Sequence, residues 1–364
     1  MPVLKSEVQI DEFTEYASRV FDYEFDGVSE FICHEKPKVP EEFNIGLIVG
    51  SSGSGKSSLL KEFGVEEIPV WEKDKAIVSH FSSPEEAVSK LSSVGLNSIP
   101  TYMRPYHVLS TGEKFRADLA RNIKDNAVID EFTSVVNRTV AKVASMSIAK
   151  KIRRENIKNV VFASCHDDIV AWLEPDWVYN TDSGELTIRG LLQQQRPILR
   201  LDIYRTTWKK WEMFKKHHYL SADLNKASHC YIGILDGKEI AFNASISLPG
   251  KIPPLYEGDV RKKFRESRTV VLPDYQGIGI GTRFSDAIAQ MYLDWGYRYF
   301  SKTAHVRMGE YRQNSPLWRP TLTNLKSREK AQKRSKNELW HRMALDTKRL
   351  CYSHEYIGKE KSNG

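Results

Sequence analysis

Apolar residues fall in short blocks along this chain, and the spacing within each block predicts its element. Ile45-Gly46-Leu47-Ile48-Val49, Ala127-Val128-Ile129 and Val160–Ser164 are nearly continuous apolar runs. That pattern belongs to strands covered on both faces. Ser58–Phe63 and Lys114–Ile123 have helical character. Val20–Asp26 and Ser29–His34 alternate roughly as strands do, around an Asp26-Gly27 turn signal. Further on, Trp208, Trp211 and Phe214 repeat at helical spacing within Leu201–His218. Tyr231–Leu235 and Ile240–Ile246 read as strands about the Asp236-Gly237 turn, and Thr269–Leu272 as a third. Phe284, Ile288, Met291, Tyr292 and Trp295 then mark one face of a helix, Gly296 its C-cap, and Tyr297–Thr303 a following strand.

Length and charge divide this string of elements. The 364 residues suffice for two cores, and hydrophobic residues at 40% argue for folded protein. Residues 191–364 hold 32 Lys and Arg against 17 Asp and Glu, whereas residues 1–190 hold 22 against 30. An acidic half joined to a basic half predicts two domains, the basic one facing a polyanion. The expected boundaries are 1–190, a linker over 191–200, a second domain over 201–325 and a basic helical tail over 326–364. No apolar run reaches the length of a membrane span, and the start MPVLKSEVQIDEF has no signal-peptide pattern. Cys33, Cys165, Cys230 and Cys351 are scattered without a C-x-x-C pair, so a cytoplasmic setting is expected.

Candidate chemistry begins with Gly50-Ser51-Ser52-Gly53-Ser54-Gly55-Lys56-Ser57-Ser58, which fits G-x-x-x-x-G-K-[ST] between a buried strand and a helix start. Glycines there let backbone N–H groups turn inward on phosphate. Gly50, Ser51, Gly53, Ser54, Gly55, Lys56, Ser57 and Ser58 are the expected nucleotide contacts, with Lys56 on the β/γ-phosphates and the Ser57 hydroxyl on Mg²⁺. Downstream lie Leu109-Ser110-Thr111-Gly112-Glu113, then Ile129-Asp130-Glu131 at a strand end, then Cys165-His166-Asp167 at another.

In that order these motifs resemble the ABC-type ATPase family over roughly residues 1–190. Gly50–Ser57 is similar to its Walker A loop, and Leu109–Glu113 to its LSGGE signature, with Thr111 for the first Gly. Ile129–Glu131 is similar to Walker B with the catalytic glutamate, Phe132–Asn137 to the D-loop and His166 to the switch histidine. The resemblance implies ATP and Mg²⁺ as cofactors, Asp130 holding Mg²⁺, Glu131 activating water and His166 sensing the γ-phosphate. It also implies an ATP-dependent head-to-tail homodimer in which Ser110 and Gly112 complete the partner's site. No Gln lies between Lys56 and Leu109, so the family's Q-loop residue is missing, and His80 is the expected substitute. The segment Phe81–Val108 is short for a helical subdomain. Without a membrane span, the resemblance points to the soluble members that act on nucleic acids or proteins.

A second glycine-rich turn, Gln276-Gly277-Ile278-Gly279-Ile280-Gly281, follows Val270-Val271-Leu272-Pro273 and opens the helix ending near Trp295. It is Q-x-x-G-x-G, suited to a pyrophosphate at a helix N-terminus. It resembles motif A of the GNAT acyltransferases over roughly residues 200–315. The resemblance implies acetyl-CoA, with Val271 beside the pantetheine arm and Gln276, Gly277, Gly279 and Gly281 on the pyrophosphate. Such enzymes move an acyl group directly to an amine and need a base and an acid. His218 or Glu310 is the expected base and Tyr311 the thiolate acid. His217-His218-Tyr219-Leu220 is also similar to a segment of the phage Mom DNA-modification enzymes.

The fold class expected is therefore α/β and α+β: a P-loop ABC-type domain with a short helical subdomain, then a GNAT fold with a mixed sheet flanked by helices. Arg261–Arg268 and the basic run from Lys326 to Arg349, with Trp340, His341 and Tyr352 interleaved, suit phosphates and unpaired bases. The function expected is acylation of a nucleic-acid amine, DNA or RNA, under control of the ATPase. A protein or small-amine acceptor, or a nucleic-acid-binding ATPase clamp with a degenerate GNAT domain, are the alternatives.

Overall fold

The strands form where the apolar runs lie, and they assemble into separate sheets. The computed structural model describes residues 3–189, 198–218, 224–249, 262–326 and 351–358. The chain splits into two units: Met1–Lys75, Ser79–Val94 and Pro105–Pro197 in one, Ala76–Val78, Gly95–Arg104 and Ile198–Gly364 in the other. The two short pieces 76–78 and 95–104 thus group apart from the rest of the expected first domain. Residues 191–197 of the expected linker lie outside the described residues.

The first unit opens with β1 (Val3–Glu7), α1 (Glu12–Phe21) and β2 (Val28–Ile32), and β1 pairs antiparallel with β2. This corrects the expected Val20–Asp26 strand. A capping box starts a helix instead: Asp11 Oδ1 accepts from the N–H of Thr14 at 2.9 Å, and the Asp11 N–H donates to Thr14 Oγ1 at 2.8 Å. Asp22, at φ 48°, closes that helix. α1 buries no residue and leaves Phe13 and Phe21 74% and 79% exposed.

Next come β3 (Ile45–Val49), α2 (Lys56–Leu60), α3 (Pro84–Ser93), α4 (Ile99–Tyr102, grouped with the second unit), α5 (Thr111–Asn122), β4 (Val128–Ile129), α6 (Arg138–Arg154), β5 (Val160–Ser164), α7 (Val170–Leu173), β6 (Trp177–Asn180) and β7 (Glu185–Ile188). The sheet order is β4-β5-β3-β6-β7, parallel except for the last pair. β3 and β5 are buried at every residue, as their unbroken apolar runs require. Gly46 belongs in β3 because Trp177 fills its flank: a Cβ there would lie 2.1 Å from the indole.

The second unit contains β8 (Asp202–Thr206), α8 (Trp211–Phe214), β9 (His229–Leu235), β10 (Lys238–Ser247), β11 (Lys263–Val271), α9 (Ile280–Asp294), β12 (Arg298–Thr303), α10 (Val306–Asn314), β13 (Trp318–Pro320) and β14 (Tyr352–Tyr356). Its seven-stranded sheet runs β13-β14-β12-β11-β10-β9-β8, and only β11 and β12 pair in parallel. Their ladder covers Lys263–Arg265 against Arg298–Phe300 and stops there. α9 closes the core with Ile280, Phe284, Ile288 and Tyr292. Of the three aromatics at helical spacing, Trp211 and Phe214 are buried but Trp208 is 37% exposed, and only one α-helical turn forms, between two 3-10 turns. The expected helical tail is corrected at its far end: β14 is a strand inserted between β12 and β13. Arg298, buried on β12, holds it by pairing with Glu355 at 2.6 Å. Most of the basic run, 327–350, lies outside the described residues. Among the described residues, no helix is long and apolar enough to cross a membrane.

Candidate functional site

Two glycine-rich turns carry the candidate chemistry, one in each unit. In the first, Gly50, Gly53 and Gly55 have φ of 154°, 79° and 88°, so the turn takes backbone that side chains resist. Gly55 caps α2 without a side-chain bond, which leaves the first-turn N–H groups of Lys56, Ser57 and Ser58 available. A Cβ on Gly53 would meet nothing within 4 Å, so that side of the turn is open. Lys56 is 8% exposed, and its ammonium donates to the Ser51 carbonyl oxygen. Both Ser51 donors go to Asp182: its N–H to Oδ2 at 2.8 Å and its hydroxyl to Oδ1 at 2.7 Å. The two Ser51 bonds, with help from Lys56 and His34, hold the Asp182 carboxyl below its usual range.

Strand order gathers the other motif residues at this edge. β5 lies between β3 and β4, and all three run parallel, so Gly50, Asp130 and His166 each follow a carboxyl end of the same sheet. In open α/β sheets, ligands bind at that edge where the strand order reverses. Glu131 and Thr133 sit at φ 48° and 72°, left-handed backbone that is costly for non-glycine residues. Asp130 Oδ1 accepts the Glu131 N–H at 2.8 Å. Phe132, between them, is buried on Phe162 and donates its N–H to the Ala163 oxygen at 2.8 Å. The apolar anchor thus fixes the backbone that carries the two carboxylates just before it. His166 is half-buried and donates its N–H to Ser164 Oγ. Sequence reading missed Glu66, whose Oε1 accepts the Asp130 N–H at 3.1 Å. Burial pushes its carboxyl up, against the lowering effect of that bond.

Ser110 caps α5 through a capping box with Glu113, whose Oε2 accepts both the Ser110 N–H and hydroxyl at 3.0 Å. Gly112, on the first turn, has only ordinary clearance: an added Cβ would lie 3.5 Å from Val140. His80 is committed to a side-chain cluster. Its Nε2 accepts the Glu72 N–H at 3.0 Å, and its ring stands edge-on to Trp71, which stacks on Tyr106 at 5.0 Å.

In the second turn, Gln276 bridges backbone. Its Nε2 donates to the Val271 carbonyl at 2.7 Å, and its Oε1 accepts the Asn97 N–H at 3.1 Å. Gly277 has φ 99°, and Gly279, at φ 89° and ψ 10°, caps α9 without a side-chain bond. Here too the first-turn amides stay available. A Cβ on Gly279 would meet nothing nearer than Thr282 Oγ1 at 3.9 Å, and one on Gly281 would sit 3.4 Å from Val271.

Where β11 and β12 part lies a buried charge pair that sequence reading did not find. Arg312 of α10 donates to Glu266 Oε1 at 2.7 Å and to Ser285 at 2.8 Å. Ser285 also donates to Glu266 Oε2 at 2.6 Å. Burial would raise the Glu266 carboxyl, but the Arg312 charge and these bonds outweigh it and hold the group low. His354 of β14 is fully buried, and burial with nearby Arg312 pushes it down to about 4.

The three expected acyl-transfer residues stand on separate supports. Tyr311 donates its hydroxyl to Asp286, which also accepts from Trp318 at 2.7 Å. Burial and Asp286 push the Tyr311 phenol up to about 12, so it keeps its proton through neutral pH. Glu310 is on the exposed face of α10. The His218 ring stands edge-on to Trp211, with centroids 5.6 Å apart.

No protein-family model matches the chain, and no curated protein matches it. Solved structures do. A dimeric ATP-binding cassette in a post-hydrolysis state, bound to ADP and Pi, is similar at 13% identity over 46% of this chain and 94% of its own, with TM-score 0.35. An acetyltransferase from Bacillus subtilis in complex with CoA is similar at 10% identity over 44% of this chain and 99% of its own, TM-score 0.31. An IAA acetyltransferase from Bacillus cereus is similar at 12% identity, covering 43% and 99%, TM-score 0.28. The structural neighbours of this chain thus include ATP-binding cassettes and acetyltransferases, each covering part of it.

Proposed function

We propose that the chain is an ATP-hydrolysing acyltransferase that moves an acetyl-type group from acyl-CoA to an amine on a nucleic acid, with the ATPase unit regulating or loading the substrate. The observation that carries this reading is the pair of capping glycines. Gly55 (φ 88°, ψ 12°) and Gly279 (φ 89°, ψ 10°) each end a glycine-rich turn that follows a strand and opens a helix with uncapped amides. Two such anion cradles in one chain call for two phosphate-bearing cofactors. When bound, these supply an activated phosphoanhydride with its Mg²⁺, and an acyl thioester.

In the first unit, Lys56 and the amides of residues 53–58 bind and orient phosphate oxygens. The Ser57 hydroxyl and Asp130 carboxylate are oxygen donors of the kind Mg²⁺ prefers. Glu131 takes the proton of the attacking water, and His166 holds the terminal phosphate in line, since this chemistry is mostly positioning and electrostatics. Ser110 and Gly112 reach the nucleotide of a partner copy in an ATP-dependent homodimer. In the second unit, the amides after Gly279 and the loop at Gln276–Gly281 bind pyrophosphate, while Val271 borders the acyl-bearing arm. His218 or Glu310 removes the amine proton, and Tyr311 returns one to the departing thiolate. The excess of basic residues over 191–364 supports a nucleic-acid acceptor, because phosphate contacts dominate such binding.

Nucleoside mass spectrometry after incubation with acetyl-CoA, MgATP and DNA or RNA tests the reading. An acetyl-type adduct on one nucleoside, lost in Gly279→Val, is expected, with ATP hydrolysis stimulated by the same nucleic acid. Robust acetylation of a protein, with no nucleoside adduct, would reassign the acceptor.

A further inference from the structure

The turn after β6 is built around the first glycine loop. β6 is the parallel neighbour of β3, and Asn180 pairs with Val49, so the next residues fall level with Gly50. Asn180 folds them into a tight turn: its Oδ1 accepts the N–H of Asp182 at 2.8 Å, and its carbonyl the N–H of Gly184 at 2.8 Å. Thr181 donates its N–H to the Val49 oxygen at 2.8 Å, and its hydroxyl lies 2.6 Å from that of Ser54. Ser54 in turn donates to the Ser51 oxygen at 2.8 Å. Thr181 is 5% exposed, and its Oγ1 occupies the space a Cβ on Gly50 would need, 2.0 Å away. Asp182 takes both Ser51 donors. Two residues of one turn therefore grip the loop at Ser51 and Ser54, on either side of the open space at Gly53.

We propose that Thr181 and Asp182 are positioning residues for the nucleotide, holding the Gly50–Ser57 loop in its phosphate-accepting shape before a ligand arrives. The proposal rests on the reading of the first unit as an ATP site. It shifts Ser51 from phosphate contact to anchor and leaves the phosphates to the amides from Gly53 onward. Preorganisation of this kind lowers the ordering cost of binding. It acts alike in ground and transition states, so its loss appears in KM more than in kcat. A carboxylate beside a phosphate site could instead act as a competitor, and the two roles have opposite signs.

The test is MgATP and MgADP affinity of the full chain by calorimetry, with ATPase kinetics, for Asp182→Ala, Asp182→Asn, Ser51→Ala and the double variant Ser51→Ala with Asp182→Ala. Asp182→Ala is expected to weaken MgATP binding about tenfold and raise KM with kcat within about twofold. Asp182→Asn, which still accepts one Ser51 bond, should recover part of that loss. The double variant should be no worse than Asp182→Ala alone, because Ser51→Ala removes only the hydroxyl bond that Asp182→Ala already removes. Tighter binding in either Asp182 variant, or additive losses in the double variant, would overturn the proposal. If Asp182→Ala does not fold, Asp182→Asn and Ser51→Ala decide it. A wild-type chain that binds neither nucleotide would instead sink the ATP-site reading itself.

Discussion

The turns Gly50–Ser57 and Gln276–Gly281 carry capping glycines, Gly55 and Gly279, of nearly the same backbone, yet the protein holds them by different means. The first is gripped from outside. Thr181 crowds Gly50, Asp182 takes Ser51, and Phe31 stands where a Gly55 Cβ would go, 2.7 Å from its Cζ. The second is tied mainly through Gln276, and a Cβ on its capping Gly279 would meet Thr282 Oγ1 at 3.9 Å and nothing nearer outside its own stretch of chain, among the described residues. The helix it opens, α9, is tied deeper: its Ser285 bonds both members of the Glu266–Arg312 pair at the parting of β11 and β12. A loop fixed by surface hydrogen bonds can be loosened locally. A loop whose helix is tied to a buried ion pair fails together with its unit.

The largest effect should come from breaking that deeper support. Glu266→Ala leaves the Arg312 guanidinium buried without its carboxylate, which costs about 3–5 kcal/mol. The melting transition of the second unit should fall by many degrees while MgATP binding is retained. A melting profile that does not move would mean the pair carries no stability, and the contrast between the loops would collapse.

Acid should probe the same region less strongly. His354 is fully buried and pushed down to about 4 from an ordinary 6.5. The unfolded chain therefore binds a proton first as pH falls, and the second unit loses stability between about 6.5 and 4, by up to about 3 kcal/mol. Glu266, held below its ordinary 4.5, adds a further loss only below that value. Calorimetric melting at pH 7 and pH 5 measures the first loss, and His354→Gln should flatten it.

The capping glycines themselves sharpen the comparison. Gly279→Ala meets open space, so it costs only the left-handed strain of about 1–2 kcal/mol. Gly55→Ala carries the same strain and the encounter with Phe31 besides. Chemical denaturation of the two variants should therefore rank Gly55→Ala as the more damaging. Equal losses would show that Phe31 yields freely.

What the sequence made legible follows the same divide. The loops, their strands and the order of motifs were readable because each is local: glycine spacing, an apolar run, a helix start. The edge bringing Gly50, Asp130 and His166 together was not: the unbroken apolar runs implied buried strands, but the parallel order β4-β5-β3 is set by pairing between distant segments. The supports were not readable. Glu266 sits within Arg261–Arg268 and reads as a surface charge until Arg312, 46 residues on, reaches it. Asp182 lies 131 residues from Ser51, in a turn whose Asn-Thr-Asp-Ser-Gly composition suggests only a turn. β14 carries alternating residues, Tyr352-Ser-His-Glu-Tyr356, but follows a basic run that suggested a helix, and its partners β12 and β13 lie far upstream. α1 shows the reverse error, where apolar alternation outweighed the Asp11–Thr14 cap in the reading but not in the fold.

The smallest expected effect on the fold is the most telling for the site. Gly112 has ordinary helical backbone, and a Cβ there would rest 3.5 and 3.6 Å from the Val140 methyls and 3.7 Å from Arg116. Nothing within its own unit requires glycine, and Ala is the better helix former by up to about 1 kcal/mol. Gly112→Ala should therefore leave the melting temperature unchanged or slightly raised. A bare Cα at the first turn of α5 is useful only if something from outside comes close to those amides. On the composite-site reading that visitor is the nucleotide of a partner copy, so the same substitution should cut ATP hydrolysis about tenfold, roughly 1.4 kcal/mol on the barrier. Full ATPase activity in Gly112→Ala would remove the case for Ser110–Glu113 as half of a shared site, and would leave the first loop to act within a single chain.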